Sequence, residues 1–302
     1  MENNKENMKN QPEFKTMLNK IHNIDCVQGM KLLPDSSVDL VVTSCPYNVG
    51  IAYDVHKDSE PMEEYFEWSK TWLSEVYRTL KDDGRIALNI PYEVNVRERG
   101  GRVFISSEFW QIMKEIGFGF FGIVDLEEDS PHRSKTTAWG SWMSSSSPYI
   151  YNPKECIILA YKKDYKKNSK GLPFWDYTTT QVEDEEGKLK NKRIYEDKDK
   201  NEFMELVFGQ WKYFNDTKSL TKATYSLDIP IKAIKILSFK NDIIMDPFSG
   251  SGTTFLANEV LGNKNNFIGF ELSEKYTEIA TKRIRDYRDE KKQLKLFTEQ
   301  DS

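Results

Sequence analysis

The stretch Val41-Val42-Thr43-Ser44-Cys45-Pro46-Tyr47-Asn48 decides the fold, because it joins a buried strand to a turn rich in polar groups. Residues 38–42 form an apolar run interrupted only by Asp39, a pattern that predicts a buried strand. Proline fixes its own φ and biases the preceding residue toward extended geometry, so the Cys45 carbonyl is expected to point outward. The strand is therefore predicted to deliver polar groups to one edge of a sheet.

The groups at this turn suit a planar ligand that carries an NH2 group. The Ser44 hydroxyl can donate or accept a hydrogen bond, the Cys45 carbonyl can accept one, and Tyr47 adds a flat ring. Enzymes that modify a base extrude it from the duplex and stack it on aromatic side chains. The same residues also fit an ordinary strand followed by a proline turn, and a second motif is needed to choose.

That second motif is Asp246-Pro247-Phe248-Ser249-Gly250-Ser251-Gly252-Thr253-Thr254. It lies between a predicted strand and a predicted helix, the arrangement in which glycines let the backbone approach a nucleotide. Glu271 ends the next predicted strand about twenty residues on, where an acid can bond ribose hydroxyls. A dinucleotide fingerprint would have glycine in place of Phe255, and the lysine of a P-loop is absent. The pattern favours a ligand with a ribose and no phosphates.

The two motifs, in this chain order, resemble those of the DNA amino-methyltransferases of the β arrangement. In that family a Ser/Asp/Asn-Pro-Pro-Tyr/Phe motif comes first, a target-recognition region follows, and a Phe-x-Gly-x-Gly motif that binds the methyl donor comes last. The resemblance covers residues 21–287 and departs from the family at Cys45, where proline is usual. It implies an α/β fold, a doubly wound mainly parallel sheet of the class I methyltransferase, Rossmann-like type, with circularly permuted motif order and a recognition insertion.

The resemblance also implies S-adenosylmethionine as cofactor, double-stranded DNA as substrate and a set of site residues. Catalysis falls to Ser44, Cys45, Pro46 and Tyr47. The expected cofactor-binding residues are Asp25, Cys26, Asp228, Asp246, Phe248, Gly250, Gly252, Thr253, Thr254, Glu271 and Leu272. Asp25 and Asp228 each stand before or at the start of a predicted helix, so capping is an alternative role for both.

Alternating helices and apolar strands predict a sheet covered on both faces. The predicted helices include residues 27–33, 62–80, 104–116 and 231–238, and the predicted strands include 85–90, 120–126 and 155–161. Residues 1–20 are expected to be disordered, residues 21–126 to form the catalytic half, and residues 225–302 to form the half that binds the donor. Residues 127–224 are expected to hold the target-recognition region and a loop over the pocket.

DNA contacts are expected from that middle region. A stretch rich in hydroxyls with two tryptophans, residues 134–147, is similar to one in family members with serine in the catalytic motif. Two lysine-rich clusters follow, which fit either solvated surface or phosphate contacts. The expected DNA-binding residues are Lys135, Trp139, Trp142, Lys162, Lys163, Lys166, Lys167, Lys190 and Arg193.

Composition limits what else the chain can be. The chain has 302 residues and a net charge of −5, so DNA must be held by local basic patches. Its three cysteines and three histidines show no ligand spacing, which argues against a disulfide frame or a metal site. No run is long and apolar enough for a membrane span. We therefore expect a cytoplasmic monomer or homodimer, with a cognate restriction endonuclease as a candidate partner.

Several activities remain open at the level of sequence. The resemblance implies N4 of cytosine as the target, because serine at position 44 and the tryptophan loop are similar to those of the N4-cytosine members, with N6 of adenine as the alternative. Methylation at C5 of cytosine uses a cysteine that follows a proline, the reverse of the order Cys45-Pro46. The chain could also be a DNA-binding protein without turnover, or an enzyme that modifies RNA, although it has no recognised RNA module.

Overall fold

The computed structural model describes residues 12–51, 54–55, 58–96, 101–128, 140–150, 152–168, 170–183, 185–213, 225–262 and 264–300. The strands are β1 Lys20–Asn23, β2 Val38–Ser44, β3 Leu80–Pro91, β4 Val94–Val96, β5 Gly101–Val103, β6 Gly119–Glu128, β7 Glu155–Tyr161, β8 Thr178–Glu183, β9 Leu189–Ile194, β10 Gln210–Tyr213, β11 Ile243–Asp246 and β12 Asn266–Glu271. The helices are α1 Pro12–Met17, α2 Cys26–Lys31, α3 Met62–Thr79, α4 Ile105–Ile116, α5 Asp197–Val207, α6 Asp228–Leu237, α7 Thr253–Val260 and α8 Glu274–Gln300.

Eight of the strands form one sheet in the order β1-β12-β11-β2-β3-β7-β6-β10. Every neighbouring pair is parallel except the two made by β7, which runs antiparallel to both β3 and β6. The expected mainly parallel α/β sheet is therefore confirmed. We call the edge where the parallel strands end, at Ser44, Asp246 and Glu271, the carboxyl edge, and the opposite edge the amino edge.

The sheet is buried on both faces, which explains the nearly continuous apolar run in β2. Val38 and Val41 pack into one core with α2, α3 and α4, whereas Leu40 and Val42 pack into the other with α6 and α7. Because side chains alternate across a strand, a strand covered on both faces needs apolar residues at successive positions. Asp39 is the exception in this run, and it is 1% exposed.

The middle region contributes more to the sheet than the sequence indicated. The predicted strand over residues 155–161 is confirmed with those bounds as β7. Strand β10 pairs in parallel with β6 at the margin of the sheet, while β8 and β9 form a separate hairpin with every residue exposed. Residues 127–224 are thus partly built into the main sheet, and β8, β9, α5 and β10 had no counterpart in the sequence analysis.

The expected disorder of residues 1–20 does not extend through that range. Residues 1–11 lie outside the described residues, but α1 is helical and its Phe14 is buried in the core beside α2 and β2. Strand β1 begins at Lys20 and pairs with β12, with Ile21 opposite Gly269. The start of the described chain is therefore fixed to the half that carries the second motif.

Candidate functional site

The segments that follow four strands, β1, β2, β11 and β12, surround a cleft at the carboxyl edge. It is lined by Asp25, Cys26, Ser44, Pro46, Asp54, Val55, Trp68, Pro247, Phe248, Gly250, Phe270, Glu271, Leu272, Ser273 and Tyr276. The cleft lies beside β2 and β11, which are adjacent in the sheet although their motifs are far apart in the chain. The structure therefore brings part of the catalytic motif and part of the glycine motif to one place.

Glu271 ties the glycine turn to the end of β12. Its Oε2 accepts from the Gly250 N–H at 2.8 Å, and its Oε1 accepts from the Ser273 N–H at 2.8 Å. Burial raises the pKa of this carboxyl, and the backbone hydrogen bonds partly offset that effect. Each carboxylate oxygen has a second lone pair, so Glu271 can still accept from a ligand hydroxyl.

Asp25 is placed both to cap a helix and to contact a cofactor, the two roles that the sequence left open. It is the N-cap of α2, where its Oδ1 accepts from the Gln28 N–H at 3.0 Å. It also lines the cleft, as the Gly250 turn does. The cap fixes the carboxylate at the start of a helix without using its second oxygen in that bond.

Asp246 does not line the cleft but joins β2 to β11 beside it. Its Oδ1 accepts from Thr43 Oγ1 at 2.7 Å, and its Oδ2 accepts from Thr254 Oγ1 at 2.6 Å. The Phe248 N–H also donates to Oδ1 at 3.0 Å. Burial raises the pKa of Asp246 to about 6, against the opposing effect of these hydrogen bonds. This carboxyl is a structural anchor of the site.

Four other expected cofactor residues also lie outside the cleft lining. Thr254 is 0% exposed and bonds Asp246, and Thr253 accepts from Arg283 at 3.1 Å. Asp228 begins α6, where its N–H donates to Ser226 Oγ at 3.3 Å. The fourth is Gly252, at the start of α7. The polar groups of these residues serve the surrounding fold, so their contact with the cofactor stays a prediction.

The two glycines of the motif have different tasks. Gly250 has a φ of +50°, lines the cleft, and has no atom within 4 Å of where a Cβ would stand. Gly252 has a φ of +78°, and a Cβ there would lie 3.0 Å from the Ala280 Cβ. The close approach at Gly252 is therefore to α8, whereas Gly250 leaves its backbone open to a ligand.

An aromatic wall closes one side of the cleft. The Phe248 ring lies 5.7 Å from the Trp68 ring and 5.1 Å from the Trp72 ring, the latter edge to face. Trp68 reaches the cleft from α3. Asp54 also lines the cleft and accepts from Ser273 Oγ at 2.8 Å. Neither Trp68 nor Asp54 belongs to a recognisable motif, so sequence reasoning missed both.

The catalytic motif is held rigidly by its neighbours. Ser44 Oγ and Tyr47 Oη are 2.8 Å apart, and Tyr65 Oη donates to the Pro46 carbonyl at 2.7 Å. Asp58 accepts from the Asn48 N–H at 2.7 Å, which fixes the following loop. Cys45 is 3% exposed, and burial raises the pKa of its thiol to about 12. A buried thiol of this kind is not a thiolate at neutral pH, which counts against a covalent C5-cytosine mechanism.

The residues expected to contact DNA divide between the two edges. Lys135 and Trp139 lie outside the described residues. Trp142 is 69% exposed on residues 140–150, which lead into β7 at the carboxyl edge, where Glu155 pairs with Pro91. Because β7 is antiparallel, residues 162–168 lie at the amino edge instead, where the Lys162 N–H donates to the Gly84 carbonyl and the Asn168 N–H to the Asp83 carboxylate.

Two of these lysines are committed to internal partners. Lys162 is 7% exposed and its Nζ donates to the Leu80 carbonyl at 2.7 Å, while burial lowers its pKa. Lys167 forms an ion pair with Asp242 at 3.0 Å. The expectation that Lys162 and Lys167 contact phosphates is wrong, because their ammonium groups satisfy buried acceptors. The remaining four are exposed, with Arg193 lining a groove at the amino edge: Lys163, Lys166, Lys190 and Arg193.

The cysteines Cys26, Cys45 and Cys156 are all free and buried. Among the described residues, no group of three or more His, Cys, Asp and Glu side chains is arranged to hold a metal ion. Within the same part of the chain, none of the helices has the length and apolar character needed to cross a bilayer.

The fold and cleft together define a doubly wound α/β protein with a ligand site at the carboxyl edge, where ligands bind in this class. A family model described as DNA methylase matches residues 38–282, and the chain belongs to this family of S-adenosylmethionine-dependent DNA amino-methyltransferases. Its cofactor is S-adenosylmethionine, and the open Gly250 backbone beside the Glu271 and Asp25 carboxylates fits that ligand.

Two curated relatives show how far the similarity extends. The type II methyltransferase M.MjaVI of Methanocaldococcus jannaschii is 43% identical over 156 residues, covering 51% of this chain and 78% of that protein. The type II methyltransferase M.BglII of Bacillus subtilis is 29% identical over 272 residues, covering 88% of this chain and 69% of that protein. The similarity to the second relative therefore includes both motifs.

Solved structures share the fold. TTHA0409 of Thermus thermophilus, named as a DNA modification methylase and complexed with S-adenosyl-L-methionine, superposes with a TM-score of 0.60 at 22% identity, covering 88% of this chain and 92% of that one. The PvuII DNA methyltransferase, described as cytosine-N4-specific, superposes with a TM-score of 0.60 at 16% identity, covering 87% and 86%. At these identities the likeness concerns the fold alone.

Proposed function

We propose that the chain transfers a methyl group from S-adenosylmethionine to the exocyclic N4 of cytosine in duplex DNA. The observation that carries the choice of base is the Ser44 hydroxyl on the rim of the cleft. In this family a carboxylate is common at that position in enzymes acting on N6 of adenine, and serine in enzymes acting on N4 of cytosine. The cytosine-N4-specific PvuII enzyme has a similar fold, which is consistent with this choice.

The catalytic residues act by positioning and electrostatics. The lone pair of an exocyclic amino group is delocalised into the ring, so the nitrogen is a poor nucleophile. In this proposal the Ser44 hydroxyl and the Cys45 carbonyl accept its two hydrogens, which favours a pyramidal nitrogen and directs the lone pair at the methyl group. Tyr47 stacks on the base, and the cofactor supplies an electrophilic methyl group when bound.

The cofactor is held in this proposal by the walls of the cleft. Glu271 accepts from the ribose hydroxyls, Asp25 accepts from an amino group, and the Phe248 ring and Gly250 backbone pack on the ligand. Asp246 and Thr254 support this wall through their own hydrogen bond. The lining residues Asp54, Trp68 and Tyr276 are added to the set implied by the sequence.

The DNA duplex is proposed to lie across the carboxyl edge. Residues 140–150 precede β7 at that edge and present the exposed Trp142. Ser141 closes this loop, since its N–H donates to the Ser147 carbonyl at 2.8 Å. The curated relatives are type II methyltransferases, so we also propose a cognate restriction endonuclease as partner and the cytoplasm as the place of action.

The base is tested by mass spectrometry of nucleosides from DNA methylated by the purified chain. N4-methylcytosine is the expected product, and N6-methyladenine without N4-methylcytosine would overturn the assignment. The variant Ser44→Ala is expected to lower single-turnover methyl transfer by about a hundredfold, as for removal of one group that stabilises developing charge. Its affinity for S-adenosylmethionine should stay unchanged, since the interaction is made mainly in the transition state. Ser74→Ala, on the exposed face of α3, is the matched control.

A further inference from the structure

A buried amide lies directly beside the catalytic motif. Asn89 on β3 is opposite Ser44 in the register of the sheet and is 2% exposed. Its Nδ2 lies 2.8 Å from Tyr47 Oη and 2.7 Å from Glu155 Oε2. Asn89 is therefore linked through Tyr47 to the Ser44 hydroxyl, the group that contacts the base in the proposed function.

The partners of this amide fix its direction. An ionised carboxylate only accepts hydrogen bonds, so the atom of Asn89 that faces Glu155 is its NH2 group. The same nitrogen then donates its other hydrogen to Tyr47 Oη, whose oxygen is the acceptor. Tyr47 Oη also lies 2.8 Å from Ser44 Oγ, a hydrogen bond in which either oxygen can be the donor.

Packing alone does not account for an asparagine at this position. Its Oδ1 is buried and has no hydrogen-bond partner among the described residues. Burying an unsatisfied carbonyl is unfavourable, whereas an apolar residue of similar size would avoid that penalty. Polar groups that a fold retains at such a cost are concentrated at functional sites.

We propose that Asn89, held by Glu155, is a positioning residue for methyl transfer that acts through Tyr47 on Ser44. In this proposal Tyr47 is the donor to Ser44 Oγ, so the hydrogen and the remaining lone pair of Ser44 are turned toward the cleft. The hydroxyl then accepts from an exocyclic amino group and donates to the neighbouring unprotonated ring nitrogen of the base. This inference rests on the proposed role of Ser44 and extends it to a chain of three hydrogen bonds.

A double-mutant cycle tests the chain. Asn89→Ala and Tyr47→Phe are each expected to slow single-turnover methyl transfer by about three- to tenfold, the effect of one neutral hydrogen bond. The double variant should be no slower than the slower single variant, because both changes break the same chain. The KM for S-adenosylmethionine should stay within about twofold of that of the unchanged protein. Rate losses that multiply in the double variant would overturn the proposal.

A matched buried amide separates positioning from general loosening of the fold. Asn258 on α7 is 0% exposed, and its Nδ2 donates to the Asn265 carbonyl at 2.8 Å. Asn258→Ala is expected to lower the melting temperature and to act independently of Tyr47→Phe. If Asn89→Ala does not fold, Tyr47→Phe alone decides, because it removes one oxygen atom and a full rate in that variant overturns the proposal.

The same variants separate this inference from the proposed function. A full rate in Ser44→Ala would remove the role of Ser44 and the inference with it. A slow Ser44→Ala enzyme in which Asn89→Ala still lowers the rate further by its full factor would overturn the inference alone. A slow Ser44→Ala enzyme that is insensitive to Asn89→Ala supports both.

Discussion

The two edges of the sheet treat buried charge in opposite ways. At the amino edge, Asp39 and Asp242 form ion pairs with Lys81 and Lys167 respectively. At the carboxyl edge, Asp246 and Glu271 are bound by threonine hydroxyls and backbone N–H groups, and no described lysine or arginine lies within 4.0 Å of either carboxylate. The buried carboxylates at the amino edge are therefore neutralised by lysines, whereas those at the carboxyl edge have no cationic partner among the described residues.

This difference in charge pairing identifies the carboxyl edge as the one suited to bind a cationic ligand. A buried ion pair is satisfied by its own partner, and removal of either member leaves an unpaired charge. Asp246 lies outside the cleft lining, whereas Glu271 lines the cleft, is held only by neutral donors and remains attractive to a cation. Burial raises the pKa of both carboxyls. S-adenosylmethionine carries a sulfonium and an ammonium group, so its charge matches the carboxyl edge.

The largest expected effect comes from the glycine that faces the cleft. Gly250→Val should weaken S-adenosylmethionine binding by about a hundredfold, roughly 3 kcal/mol, because the new side chain enters the cleft that Gly250 lines. Gly252→Val is the matched control, since its side chain meets Ala280 and not the cleft, so it should keep the affinity. Both variants should melt at a lower temperature, because both glycines have a positive φ. Isothermal calorimetry separates the two, and thermal unfolding measures the loss that they share. Equal loss of affinity in both folded variants would contradict the division of tasks.

The next effect concerns the amino edge. Lys167→Met should lower the free energy of unfolding by about 3 kcal/mol, because it leaves the buried Asp242 without its cation. Methyl transfer and cofactor affinity should not change at temperatures where the variant is folded. Denaturant unfolding measures the loss, and Lys163→Met, at an exposed ion pair with Asp82, provides the control. A reduced cofactor affinity in Lys167→Met would show that the edges are not independent.

The next effect is similar in total size but spread over a range of pH, and it concerns the pH dependence of stability. Asp246 binds its proton more tightly in the folded state, where its pKa is about 6, than at its ordinary value of 3.8. Stability from this group is therefore fully present below about pH 4 and is lost as the pH rises through 6, by about 3 kcal/mol in total. In unfolding without cofactor, the difference between the unchanged protein and Asp246→Asn should fall over this window. A difference independent of pH would contradict the shift.

The smallest expected effect is none at all, and it tests where DNA lies. Lys163→Gln and Lys166→Gln should leave the slope of log affinity against log salt unchanged, because both residues lie at the amino edge. A phosphate contact would instead flatten that slope by about 0.9 for each residue removed. Fluorescence anisotropy with a labelled duplex over a salt series measures it. A flattened slope would extend the DNA footprint around the molecule.

The sequence was sufficient for the parts of the fold that depend on strong local patterns. The apolar runs of β2 and β7 and the glycine turn before α7 were located with bounds close to those observed. The meeting of Ser44 with Gly250 in one cleft also followed from the order of the motifs. These features depend on strand ends of a parallel sheet, where the carboxyl edge gathers residues from distant motifs.

The sequence was insufficient where the structure depends on the direction of a strand or on contacts between elements. It contained no sign that β7 runs antiparallel, and that reversal places residues 162–168 at the amino edge. The hairpin of β8 and β9 has every residue exposed, so it carries no alternation of apolar and polar residues to detect. Asn89 and Trp68 reach the site through packing between elements, which a single sequence does not display.

The hydrogen bond between Thr43 and Asp246 joins residues 203 positions apart, and this separation has a consequence during synthesis. At about 5–20 residues per second, β2 emerges from the ribosome roughly 10–40 s before its neighbour β11 exists. Through that interval the apolar β2 strand has one unpaired edge, the kind of edge on which chains aggregate. Asp39 is the one charged residue in that strand. Until β11 has been synthesised, this charge opposes aggregation of an otherwise apolar strand.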